Sequence, residues 1–149
     1  MKDLKKFEAI YILKNNYIGN LSYVWQNKPY VVPITFYYDE EEHSILSYAG
    51  EGHKIKAMRI NKYVSMGVAQ IESVNKWQSI LVHGTFEELS GAYAKQELHE
   101  FVNGVKKTMF IRDDKYPDLI SEFSSKINSG KPIVYRIRIS DITGKSRKY

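Results

Sequence analysis

The sequence predicts a mainly β fold, a small antiparallel β-barrel with helical additions, on three observations. Apolar and polar residues alternate over stretches of strand length. Short turn-forming segments join consecutive stretches, which favours hairpins over the long crossovers of a parallel sheet. Helical periodicity is confined to a few places.

Taken in order, Leu4, Phe7, Ile10, Tyr11 and Leu13 stand at helical spacing and predict an amphipathic helix over 4–15, stopping near Asn15-Asn16. Strands are expected at 17–25 and 29–38, joined by a turn at Gln26-Asn27-Lys28, and at 43–48 after the acidic turn Asp39-Glu40-Glu41-Glu42. Pro33 inside the second strand has no N–H for a ladder, so that strand belongs at an edge or carries a bulge. A short helix follows at 53–60, then strands at 63–71 and 77–89 around the loop 72–76. Helices are expected at 92–107, with Tyr93, Leu98, Phe101, Val102 and Val105 on one side, and at 117–127, ended by Asn128-Ser129-Gly130. The last strand, 133–142, alternates Ile133, Tyr135, Ile137 and Ile139 against Val134, Arg136, Arg138 and Ser140, which predicts two arginines on its wetter face. Six strands result.

The 149 residues suffice for one core, and a single domain over 1–149 is expected. There are no cysteines, so disulfides, thiolate metal sites and cysteine nucleophiles are excluded. No apolar segment reads as a membrane span or signal peptide, so a cytoplasmic protein without a membrane partner is expected. Net charge is +5, but the lysines are spread along the chain and only the tail Lys145-Ser146-Arg147-Lys148-Tyr149 is a basic cluster, read as a solvated end. No nucleic-acid partner is expected.

Several chemistries fail on spacing. Gly144-Lys145-Ser146 resembles the end of a P-loop, but Ile139 stands where its first glycine is required. Gly50-Glu51-Gly52 starts like a dinucleotide fingerprint, but Ile55 replaces the third glycine. His43, His53, His83 and His99 have no ligand spacing, so no metal is expected, and there is no Gly-x-Ser-x-Gly elbow. What remains is Ser47-Tyr48-Ala49-Gly50-Glu51-Gly52-His53-Lys54, a strand followed by a glycine that opens a helix with a basic pair. Helix N-termini carry unpaired N–H groups and partial positive charge, so this is a candidate seat for a phosphate monoester. Gln78 and Ser79, on a later strand, offer further donors.

The set Val32-Pro33-Ile34-Thr35-Phe36, Ser47-Tyr48-Ala49, Gly52-His53-Lys54-Ile55, Trp77-Gln78-Ser79-Ile80 and Gly84, in this order, resembles the flavin-binding split-barrel proteins related to pyridoxamine 5'-phosphate oxidase, and within them the nitroimidazole-resistance (Nim-type) branch. Arg136 to Lys145 resembles the last strand of that branch. The resemblance implies a six-stranded split barrel that binds FMN. It implies that Val32, Pro33, Ile34, Thr35 and Phe36 run beside the flavin ring and meet it through backbone groups. It implies further that Tyr48 and Ala49 contact the cofactor, that His53 and Lys54 hold its phosphate, and that Ser79 adds a donor, beside the Gly52 and Gln78 that the residues themselves put forward. It implies a homodimer with the flavins along the subunit interface.

Position 53 is often arginine in such relatives, so histidine here gives one donor in place of a fixed fork. Tyr48 stands where Nim-type relatives often carry histidine. The Arg-x-His signature of true pyridoxamine phosphate oxidases has no counterpart, because Arg136 and Arg138 are followed by Ser140. The expectation is therefore an FMN-dependent oxidoreductase of a small organic acceptor. Its alternatives are a pyridoxamine 5'-phosphate oxidase and a non-catalytic flavin- or haem-binding module. No catalytic side chain is assigned, since the flavin carries the redox chemistry.

Overall fold

The computed structural model describes residues 1–113 and 131–149. The elements run β1 (Lys2–Asp3), α1 (Lys6–Lys14), β2 (Ile18–Trp25), β3 (Lys28–Thr35), β4 (Tyr37–Asp39), β5 (Ser44–Ala49), α2 (His53–Ile60), β6 (Tyr63–Ser73), β7 (Lys76–Glu88), α3 (Gly91–Asp113) and β8 (Ile133–Arg147). The strands form one curled antiparallel sheet in the order β3-β2-β6-β7-β8-β5-β4, with β1 added beside β8. This is the mainly β split barrel that the sequence predicts. The described strands number eight rather than six, because Phe36 divides the expected 29–38 strand and Lys2–Asp3 adds a short rung. The helix expected over 117–127 and its stop at 128–130 lie outside the described residues.

Trp25 pairs directly with Lys28, so the first hairpin turns on two residues, Gln26 and Asn27, at φ 50° and 64°. A two-residue turn with both residues left-handed matches the twist of the flanking strands. Lys28, expected in the turn, is its first rung. β3 ends the sheet, as Pro33 requires.

Two cores follow from the strand period of two. Ile45, Tyr135 and Ile137 face the interior of the curl, where they meet Leu21, Phe36, Met66 and Val82, with Ile12 and Leu13 of α1 and Ile55 and Met58 of α2. Their neighbours Leu46 and Val134 face the other way and are covered by Leu98, Phe101, Val105 and Met109 of α3. β5 and the first part of β8 are thus buried on both faces.

That second cover corrects the reading of β8. Arg136 shares the α3 side with Val134 and is fully buried, paired with Asp39 at 2.9 Å and Glu97 at 3.2 Å and bonded to the Tyr93 hydroxyl at 3.0 Å. Arg138, further along, stays 39% exposed and pairs with Glu42 and Glu87. The basic tail is also more ordered than expected: β8 continues to Arg147, Ser146 is buried, and Lys145 pairs with Asp3. In α1 the buried face is Ala9, Ile12 and Leu13, whereas Phe7 and Tyr11, expected inside, are about 70% exposed.

Candidate functional site

β5 runs out at Ala49 and α2 begins with His53, so the three-residue turn 50–52 sets the helix start at the seam between β3 and β5. Gly52 is the N-cap, in extended backbone at φ −175°, which any residue adopts. A Cβ at Gly50 would meet nothing within 4 Å, and one at Gly52 only the Gly50 carbonyl at 3.9 Å. The chain itself therefore demands no glycine at either position. The bare backbone instead leaves open room beside the helix start. No side chain caps α2 and its first turn carries no acid; the first intrahelical bond runs from the Lys56 N–H to the Gly52 carbonyl. The preceding N–H groups and the positive end of the helix dipole are left for a ligand.

A cleft of about 290 Å³ lies along this seam. One wall is Pro33, Ile34 and Thr35 of the edge strand, the other Ser47, Tyr48 and Ala49 of β5, with Gly50 and Lys54 at the end. The Ser47 hydroxyl donates to the Thr35 carbonyl at 2.7 Å and ties the walls together. Tyr48 packs edge-on against Phe101 of α3, ring centroids 5.4 Å apart, and burial raises its hydroxyl pKa. Lys54 is partly buried, burial pushes its ammonium pKa below the ordinary lysine value, and among the described residues no carboxylate pairs with it. A half-desolvated cation without a counter-ion, beside an uncapped helix start, is a donor set that suits a phosphate.

The structure thus brings together Pro33, Ile34, Thr35, Tyr48, Ala49 and Lys54. Gly52 stands at the helix start, and the side chains of the remaining expected residues do not line the cleft. Val32 packs against the core, and the Phe36 side chain is fully buried within it. His53 turns away from the cleft: Tyr23 Oη meets its Nδ1 at 2.9 Å, and its ring packs among Tyr23, Tyr30 and Trp25. Gln78 bonds Gln70 and lines a separate cleft between α1 and α3 with Asn16 and Arg112. Ser79 pairs with Ala69 and Lys145 in the ladder and does not line the seam.

Two contributors escaped the sequence reading. The Ser47 tie across the seam has no local signal. The aromatic setting of His53 does have one, since the β2–β3 register sets Tyr23 opposite Tyr30. Among the described residues no cluster of histidine and acidic side chains can hold a metal, and no helix is long and apolar enough to cross a membrane.

An antiparallel sheet left open along one seam, with a cleft there that ends on the start of α2 and Lys54, is a split barrel. Residues 6–146 match the model of the pyridoxamine 5'-phosphate oxidase family, and the chain belongs to that family. Over 72 residues it is 33% identical to an uncharacterised protein of Rhizobium meliloti (strain 1021); that stretch spans 48% of this chain and 46% of the relative. Among solved structures, a FAD-binding protein from Mesorhizobium loti superposes with a TM-score of 0.76 at 23% identity, covering 99% of this chain and 97% of the other. A candidate 5-nitroimidazole antibiotic resistance protein from Bacteroides thetaiotaomicron superposes with a TM-score of 0.67 at 16% identity, covering 96% and 86%. At these identities the likeness shows the fold.

Proposed function

We propose that this chain binds the flavin 5'-phosphate unit, the FMN of the sequence expectation, along the β3–β5 seam and serves as an oxidoreductase for a small organic acceptor. The observation that carries the reading is Lys54, a partly buried ammonium without a carboxylate partner among the described residues, placed where an uncapped helix start faces open room. A relative of this fold binds FAD, which supports a flavin as the anion. When bound, the flavin supplies the electron or hydride chemistry. Lys54 and the α2 start would hold the phosphate, and the backbone of Pro33–Thr35 with Tyr48 would line the flavin.

One seam of about 290 Å³ is at the small end of ligand sites, and a second copy of the chain would complete it. The outer face of β3-β2-β6-β7 supports such a homodimer. Ile18, Val31, Leu81 and Ile71 are exposed there, on a face that also holds Pro33, Gly67, Ala69 and Ser79. Ser79 is in this way a donor that one subunit presents to the other.

The acceptor we favour is a nitroaromatic or quinone, and a pyridoxamine phosphate is disfavoured. Arg136 and Arg138, the basic residues nearest the missing Arg-x-His signature, are both committed to carboxylates and leave no second phosphate grip there. The test is anaerobic stopped-flow of the reduced, flavin-loaded protein. Reoxidation faster with a nitroimidazole or quinone than in buffer supports the reading; sustained turnover of pyridoxamine phosphate to pyridoxal phosphate, or no flavin uptake at all, refutes it.

A further inference from the structure

The first hairpin overshoots its sheet. β2 pairs with β6 only at Asn20–Ser22, yet its pairing with β3 continues to Trp25–Lys28. The tip packs instead against the start of α2. There the Tyr23 and Tyr30 rings stack within 8° of parallel at 5.4 Å, and the His53 ring meets Tyr30 at 4.9 Å and Trp25 at 5.7 Å. Tyr23 is buried and accounts for the packing. Trp25 and Tyr30 stay partly exposed and His53 largely so, which leaves aromatic surface one residue from the phosphate seat.

We propose that this ledge of Trp25, Tyr30 and His53 seats the adenine of FAD, so that the chain prefers the dinucleotide over FMN. The inference rests on the flavin reading above. FAD differs from FMN by an AMP unit, which adds a second phosphate, a ribose and a flat base, and the ledge answers the phosphate and the base. The 2.9 Å contact to the Tyr23 hydroxyl admits either tautomer of His53; in the one where Tyr23 donates to Nδ1, Nε2 carries a proton and is a donor for the second phosphate, on the residue next to Lys54. The rings beyond it give the adenine a π face. FMN would leave that surface bare.

The test is a set of titrations of the ligand-free protein with riboflavin, FMN and FAD, followed by flavin fluorescence, on the wild type, Trp25→Ala and Trp25→Phe. Base stacking on one aromatic platform predicts that the wild type binds FAD roughly ten-fold or more tighter than FMN. Trp25→Ala should collapse that ratio toward one, and Trp25→Phe should keep most of it. Equal dissociation constants for FAD and FMN in the wild type, a comparison that needs no variant, would overturn the ledge alone. A ratio unchanged in folded Trp25→Ala would do the same. Failure of every flavin to bind would overturn the functional reading and the ledge with it.

Discussion

The Ser47 hydroxyl donates to the Thr35 carbonyl across the open seam of the sheet, at 2.7 Å. Thr35 ends an edge strand whose outer side lacks a ladder partner, and Ser47 is 2% exposed on a strand buried on both faces, so this one bond ties the edge wall of the cleft to the buried one. Ser47→Ala should cost about 1–2 kcal/mol, the net value of a buried hydrogen bond plus its unsatisfied acceptor. Urea unfolding should show a lower midpoint at unchanged slope. An unchanged midpoint would mean that the seam is held by other contacts.

A second prediction sets helix propensity against packing. Gly104 lies inside α3, where alanine is favoured by about 1 kcal/mol. A Cβ there, however, would run into the root of the Tyr37 ring. Overpacking of this kind costs about 1–3 kcal/mol, so Gly104→Ala should be a net loss. A stabilised variant in thermal melts would show that Tyr37 can step aside freely.

The third concerns Tyr135, fully buried, whose hydroxyl lies beside Ser47 but makes no hydrogen bond in good geometry, since the Ser47 hydroxyl donates to Thr35. Burial pushes that hydroxyl up to about 12. In the unfolded chain it titrates near 10, so the fold holds the proton more tightly. The contribution is intact below about pH 10 and is lost as pH rises through about 12. Tyr135→Phe should therefore flatten the alkaline fall in stability. Near neutral pH it should leave stability equal or higher, since it removes an unsatisfied buried group worth roughly 1–3 kcal/mol. A clear loss of stability at pH 7 would contradict this.

Lys54 gives a fourth, on ligand binding. Burial lowers its pKa, and only its protonated form grips a phosphate. FMN affinity should consequently fall as pH rises, beginning below the ordinary lysine range, while riboflavin affinity stays flat. Titrations at a series of alkaline pH values check this; parallel pH curves for the two ligands would remove Lys54 from the phosphate seat.

How much of this was legible in the sequence depends on the reach of each cause. Pro33 marked the edge strand because a missing N–H is a local fact. The glycine-rich turn before Lys54 marked the helix start for the same reason. Arg136 was misread because period-two alternation reports only that neighbours face opposite ways. That its face is covered depends on Tyr93 and Glu97 of α3 and on Asp39, up to 97 residues away. The setting of His53 is not legible in its position before Lys54, because Tyr23, thirty residues earlier, meets its Nδ1. Phe7 and Tyr11 were expected inside because they are aromatic at helical spacing, whereas the smaller Ala9 with Ile12 and Leu13 fits the close approach of α1 to the sheet.

The measurement that bears most directly on the account is a paired calorimetric titration of FMN and riboflavin into the wild type and Lys54→Ala. A charge-assisted contact of roughly 1.5–3 kcal/mol predicts that the wild type binds FMN about ten- to a hundred-fold more tightly than riboflavin, and that Lys54→Ala loses most of this advantage. Equal dissociation constants for FMN and riboflavin in the wild type would contradict the phosphate seat at the start of α2.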